Sequence, residues 1–149
     1  FIIAGSIDPG NPDSLKKREL DKLIKNFPIN YLGFVEDITN LIYLSSIIVL
    51  PSYYREGLPK ILIEAAACGR AVITTNCVGC KDAIIDNKTG ILIPPKDSLK
   101  LANTISFLIR NKKLLREMGK RGREYAIEQF DISKIISSHF EIYEDLQNH

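Results

Sequence analysis

Short apolar, β-branched runs that alternate with amphipathic helical runs predict an α/β fold, a Rossmann-like parallel sheet with helices on both faces. Three observations carry that expectation. Ile47-Ile48-Val49-Leu50 and Ala71-Val72-Ile73-Thr74-Thr75 are continuous β-rich runs, as expected of parallel strands buried on both faces. Pro or Gly punctuates most of the apolar runs. Between them lie segments whose apolar residues recur every three or four positions, the helical period. The 149 residues suit a single domain, and 45% hydrophobic with 26% charged residues is an ordinary globular composition.

The elements follow in order. Phe1 to Ala4 reads as a strand ended by Gly5, and a Pro- and Gly-rich loop runs from Ser6 to Pro12. The chain opens without Met and inside this strand, so we expect a piece of a longer protein. Asp13 or Ser14 is placed to cap a helix carrying Leu20, Leu23, Ile24 and Phe27 on one face. Tyr31-Leu32-Gly33 falls in a second strand. Asp37 precedes a brief helix through Leu41, Ile42 and Leu44, and Pro51 stops the Ile47–Leu50 strand. Pro59 suits the first turn of a helix to about Cys68, closed by Gly69. After the Ala71–Thr75 strand, Gly90-Ile91-Leu92-Ile93 is another, halted by Pro94-Pro95. Asp97 caps a helix with Leu101, Ile105, Leu108 and Ile109 on one stripe. The next helix holds Leu114, Met118 and Tyr125, with Gly119 and Gly122 read as close-packing positions. Asp131 caps a last helix, to about Leu146, with Ile132, Ile135, Ile136, Phe140 and Tyr143 expected to face inward or, where the helix crosses back to a second domain in an intact protein, to be partly exposed in this chain.

Composition also excludes. A net charge of +2 gives no ground for nucleic-acid binding. Lys16, Lys17 and Arg18, and Lys112, Lys113, Arg116, Lys120, Arg121 and Arg123, form local basic faces. Such faces are either solvated helix surface or a peripheral contact with anionic lipid. No apolar run is long enough to span a bilayer. Cys68, Cys77 and Cys80 are an odd count, against a secreted disulfide framework and for a reducing, cytoplasmic compartment. Cys77 and Cys80 have the spacing of a zinc or redox pair, but no second pair exists, and structural thiols are the plainer expectation.

In parallel α/β sheets, ligands bind at the carboxyl ends of the strands, which points to the loops after Ala4, Gly33, Leu50 and Thr75. The third is the most informative: Pro51-Ser52-Tyr53-Tyr54-Arg55-Glu56-Gly57-Leu58-Pro59-Lys60. It leads straight into a helix, whose free N–H groups and partial positive charge suit a diphosphate. Gly57 would let the backbone approach a ligand closely. Lys60 and Glu64 lie one turn apart on one helix face. A carboxylate beside phosphate makes sense if it reaches neutral hydroxyls, so Glu56 and Glu64 could serve two sugars. From spacing alone, Glu56 is equally a charge stabilising the helix dipole, and Glu64 a salt-bridge partner of Lys60.

The stretch IIVLPSYYREGLPKILIEAAACGR, Ile47 to Arg70, closely resembles the donor-binding motif of family 4 glycosyltransferases with the GT-B fold. The segments Gly79 to Ile85 and Asn87 to Pro95, Met118-Gly119 with Gly122-Arg123, and Phe130 continue the resemblance. Ile7-Asp8-Pro9-Gly10-Asn11-Pro12 resembles a branch that builds bacterial capsule, lipopolysaccharide and related glycans. The similarity spans nearly the whole chain, but only the C-terminal half of such enzymes.

The resemblance implies a donor-binding domain of a retaining hexosyltransferase that lacks its N-terminal acceptor domain and, alone, is inactive. Its substrate would be a nucleoside-diphosphate sugar, uridine favoured, and its acceptor a glycan or lipid-linked glycan reached through the missing domain. No metal or cofactor is implied, and no Asp-x-Asp pair is present. Glu56 would be the catalytic-site residue, contacting hydroxyls of the transferred sugar. Gly57, Leu58 and Pro59 would line sugar and diphosphate, Glu64 would grip the ribose, and backbone at Val35 would lie along the base; Arg55 or Lys60 could touch phosphate, without standing in for the family's Arg and Lys. The Gly5-Ser6-Ile7-Asp8 segment departs from the family's usual Gly-x-Gly turn, and the Arg and Lys that neutralise the diphosphate would precede Phe1. Alternatives are an epimerase or glycogen-synthase-like enzyme on the same fold, and a nucleotide-binding module without catalysis.

Overall fold

The computed structural model describes residues 1–11, 14–55 and 57–147, with the backbone alone at 135 and 147. The chain divides into two compact units, Phe1–Ile38 and Thr39–His149.

In the first unit, β1 (Ile2–Ala4) and β2 (Asn30–Gly33) pair in parallel, Ile2 opposite Asn30 and Ile3 opposite Tyr31. Parallel neighbours need a crossover, and α1 (Lys17–Asn26) supplies it. This helix starts later than the sequence suggested. Ser14 Oγ accepts a hydrogen bond from the Asp8 N–H (3.2 Å), tying back the preceding loop, while Asp13 lies outside the described residues. The start is instead satisfied by Glu19, whose Oε2 accepts from the Lys16 N–H at 2.9 Å. Leu20 is buried, with Leu23 and Ile24 half-buried. Phe27 is exposed because the chain turns extended there (φ −132°, ψ 154°) and leaves the helical face.

The second unit is built on a three-stranded parallel sheet, order β3 (Ile47–Leu50), β4 (Ala71–Thr75), β5 (Gly90–Ile93). Every residue of central β4 is buried. The expectation that Ile47–Leu50 is buried on both faces fails: β3 is an edge of this sheet and only half-buried, Val49 being exposed. Helices α3 (Lys60–Ala67), α4 (Ser98–Arg110) and α5 (Lys112–Gln129) pack on the sheet, while α2 (Ile38–Leu44) precedes β3 and α6 (Ile132–Gln147) follows α5 in the chain. Ala71, Ile73 and Ile93 from the strands, Leu108 of α4 and Met118 of α5 form a core, bordered by Leu101, Ile105 and Leu114. Asp97 caps α4 by accepting from the Lys100 N–H at 2.8 Å. Ile109 falls off the buried stripe and is exposed.

Gly69, at φ +67°, ends α3 in a Schellman turn: its N–H donates to Ala66 O, and that of Arg70 to Ala65 O. Helix α5 presses onto that turn. A Cβ on Gly119 would collide with the Gly69 carbonyl, so the close-packing expectation holds there; a Cβ on Gly122 would meet Ala66 at an ordinary 3.8 Å.

Helix α6 opens at Asp131, whose Oδ1 accepts from the N–H and hydroxyl of Ser133 at 2.9 and 2.8 Å. These bonds hold its carboxyl below the usual range. Of the two expectations for α6 the exposed one holds: Ile132, Ile136, Phe140 and Tyr143 are exposed, with nothing among the described residues covering them. The side chain of Ile135 lies outside the description.

Candidate functional site

The β3–β4 ladder ends where Leu50 pairs with Thr74, just before Pro51. Two threonine hydroxyls of β4 carry the attachment onward. Thr74 Oγ1 donates to the Leu50 carbonyl at 2.8 Å, and Thr75 Oγ1 donates to the Ser52 carbonyl. Both threonines are fully buried. The first residues of the loop are thus moored to the most buried strand of the unit.

Beyond Ser52 the loop carries an aromatic pair. The rings of Tyr53 and Tyr54 lie 4.4 Å apart and their hydroxyls 3.1 Å apart. Lys96, from the β5–α4 connection, sets its Nζ 4.4 Å from the Tyr53 ring centroid, a cation–π contact. The segments leaving β3 and β5 therefore meet beside the end of β4 at the carboxyl edge of the sheet, where parallel α/β folds bind ligands.

Glu56 lies outside the described residues. Gly57 is exposed with open space where a Cβ would stand, Leu58 is exposed, and Pro59 is buried at the head of α3. Lys60 opens the helix, and its Nζ lies 3.3 Å from Glu64 Oε1. Lys60 is almost fully exposed and Glu64 about a quarter exposed, so the pair itself contributes under about 1 kcal/mol. The structure thus brings Gly57, Leu58, Pro59, Lys60 and Glu64 together along one loop and the first turns of one helix. Val35 follows β2 in the first unit and is half-buried. Chemically, the α3 start offers backbone donors to an anion, and Glu64 an acceptor to hydroxyls.

No motif in the sequence points to a role for Thr74, Thr75 or Lys96. The available signal was two polar β-branched residues closing an apolar strand, side by side, at a carboxyl end.

The other clusters resolve differently. Cys77 and Cys80 bracket a turn in which the Lys81 N–H donates to Cys77 O; Cys80 is buried and Cys77 half-buried. Among the described residues no three His, Cys, Asp or Glu side chains converge as a metal site would require. Within the basic run of α5, Arg121 and Lys120 pair with Glu117 and Glu124 (3.7 and 3.9 Å), and Arg123 caps α3 through the Ala67 carbonyl. Lys112, Lys113 and Arg116 are exposed. No described helix is long and apolar enough to cross a membrane.

A parallel-sheet unit with a loop and a helix start at its carboxyl edge has the architecture of a Rossmann-like α/β domain. Residues 1–125 match the family model of glycosyl transferases group 1, and the chain belongs to that family. It is 31% identical over 144 residues to the N,N'-diacetylbacillosaminyl-diphospho-undecaprenol alpha-1,3-N-acetylgalactosaminyltransferase of Campylobacter jejuni, covering 97% of this chain and 36% of that protein. Over 136 residues it is 29% identical to the capsular polysaccharide biosynthesis glycosyltransferase CapM of Staphylococcus aureus, covering 91% and 35%. Its fold matches Anabaena HepE, solved in complex with UDP, at a TM-score of 0.85 and 24% identity, covering 99% of this chain and 40% of that one. The fold is thus the Rossmann-like half of a GT-B enzyme, and the chain spans little more than a third of these relatives' length.

Proposed function

We propose that this chain is the donor-binding domain of a retaining glycosyltransferase that moves a hexose or N-acetylhexosamine from a nucleoside-diphosphate sugar to a glycan or lipid-linked acceptor in surface-polysaccharide synthesis. The observation that carries the reading is the loop after β3 running into α3, with Glu64 one turn inside the helix. In this reading the α3 start takes the diphosphate and the Glu64 carboxylate accepts hydrogen bonds from the ribose hydroxyls. Lys60, whose Nζ lies 3.3 Å from Glu64 Oε1, helps to orient that carboxylate. Gly57, Leu58 and Pro59 line the sugar and diphosphate, Glu56 contacts hydroxyls of the transferred sugar, and backbone at Val35 lies along the base. The HepE structures with UDP and with UDP-glucose support a uridine donor by likeness of fold.

The acceptor would come from a second domain. The exposed apolar face of α6, Ile132, Ile136, Phe140 and Tyr143, is the surface we assign to contact with that domain, because an apolar stripe of this size is a liability in water. The exposed Lys112, Lys113 and Arg116 suit peripheral contact with anionic lipid at the inner face of the cell membrane. No metal is assigned to the reaction.

The test is a transfer assay on the protein that carries this chain, with UDP- and GDP-sugars and a lipid-linked acceptor. Product of the donor's anomeric configuration, formed in the presence of EDTA, is the expected result. An inverted product, or no transfer and no donor hydrolysis with any sugar nucleotide, would overturn the proposal.

A further inference from the structure

The two buried threonine hydroxyls at the end of β4 have no part in the sheet ladder, and both donate across to the segment that leaves β3. Their acceptors are the carbonyls on either side of Pro51. The backbone ladder between β3 and β4 ends at Leu50, so beyond it the departing chain has only side-chain bonds to hold it to β4. Each hydroxyl adds one bond to a carbonyl of that chain. Consecutive strand residues point to opposite faces, so the two bonds grip the departing chain from both sides of the sheet.

We propose that Thr75, seconded by Thr74, is a positioning residue for donor binding: its hydroxyl, through the Ser52 carbonyl, sets where the loop that runs to Pro59 begins. This deepens the donor-domain reading and rests on it. The argument is one of leverage. Between Ser52 and the buried Pro59 lie six residues, Tyr53 to Leu58, and the donor-lining backbone at Gly57 and Leu58 belongs to that span. One end of the span is fixed by Pro59 at the head of α3 and the other by Thr75. Releasing the Thr75 end lets the whole span drift, while α3, Glu64 and the core stay where they are. The Lys96–Tyr53 contact lies on the exposed outer side and supplies a weaker restraint. Thr75 itself is fully buried, so it acts through the loop and not by touching the donor.

The test uses the full protein and compares Thr75→Val, which keeps shape and branching but loses the hydroxyl, with Thr75→Ser, which keeps the hydroxyl. Thr75→Val is expected to raise the donor KM about tenfold, the loss that follows when a buried carbonyl is left without its donor, with the acceptor KM unchanged. Thr75→Ser should restore donor KM to within about twofold. A role in stability alone would lower Tm in Thr75→Val and leave donor KM at the wild-type value, which would overturn the proposal. Should Thr75→Val fail to fold, Thr75→Ala against Thr75→Ser differs by the hydroxyl alone, and equal donor KM in those two would refute it. Direct titration of each variant with UDP separates the two levels: wild type that binds no nucleotide sinks the donor-domain reading, whereas nucleotide bound equally by wild type and Thr75→Val sinks only the assignment of Thr75.

Discussion

The contact between α3 and α5 makes a sharp prediction because two glycines one helical turn apart should respond to the same change with opposite signs. Replacing either by Ala in the interior of α5 gains helix propensity, about 1 kcal/mol in an open helix. At Gly122 the new methyl would lie 3.7 Å from the Thr89 carbonyl and 3.8 Å from Ala66, ordinary contact distances, so most of that gain should survive. At Gly119 it would drive into the Gly69 carbonyl, with the carbonyl carbon only 2.9 Å away. No flexible side chain is there to move aside. The obstacle is backbone, and it belongs to the Schellman turn that Gly69 holds at φ +67°. Overpacking of this kind costs about 1–3 kcal/mol, and with rigid backbone the upper part of that range applies, outweighing the propensity gain. For a chain of this size each kcal/mol is worth about 3–5 °C in Tm. Gly122→Ala should therefore raise Tm by a few degrees and Gly119→Ala lower it by about 3–10 °C. Thermal denaturation followed by circular dichroism decides it. Gly119→Ala as stable as Gly122→Ala would refute the packing argument.

Three further outcomes are expected. Glu64→Ala should weaken nucleotide binding by about 1–3 kcal/mol, since buried hydroxyls of the ribose lose their acceptor; calorimetry showing unchanged affinity would remove Glu64 from the ribose site. Glu56→Ala should leave binding of the free nucleoside diphosphate alone and weaken only the sugar-bearing form, and equal losses for both would contradict a sugar-facing role. Asp131 has its folded pKa lowered, first by the Ser133 N–H and then by the Ser133 hydroxyl, from an ordinary 3.8. Its contribution to the start of α6 is therefore complete above pH 3.8 and lost as pH falls through the lower, folded value. Amide exchange at the first turn of α6, compared between wild type and Asp131→Asn, should differ at pH 6 and converge at low pH; the same difference at all pH values would rule out the carboxylate.

Much of the architecture was legible because it rests on local signals. Continuous apolar runs located all three strands of the second unit, and Asp97 and Gly69 marked helix ends by chemistry that acts within a few residues. The misplacements and the open alternatives share a cause, namely dependence on tertiary surroundings. The run Ile47–Leu50 resembles a fully buried strand, yet burial depends on neighbours, and β3 has only one in its sheet. The stripe of α6 is as apolar as that of a core helix, but pattern alone does not say whether its partner is in the same chain. The start of α1 went to Glu19, because Ser14 was taken by Asp8. In the site, the loop, Pro59 and the Lys60–Glu64 pair could be read from spacing. The mooring of Ser52 by Thr75 could not, since it joins residues 23 positions apart and appears only when β4 lies beside β3.

The central claim, that the β3–α3 loop and Glu64 form a sugar-nucleotide donor site, is tested most directly by calorimetric titration of the protein that carries this chain with UDP, GDP and their sugar conjugates, in wild type and Glu64→Ala. The account predicts saturable binding of a uridine nucleotide and its sugar conjugate, weakened about 5- to 150-fold in Glu64→Ala. No binding of any of these ligands at millimolar concentration, or binding untouched by Glu64→Ala, would contradict it.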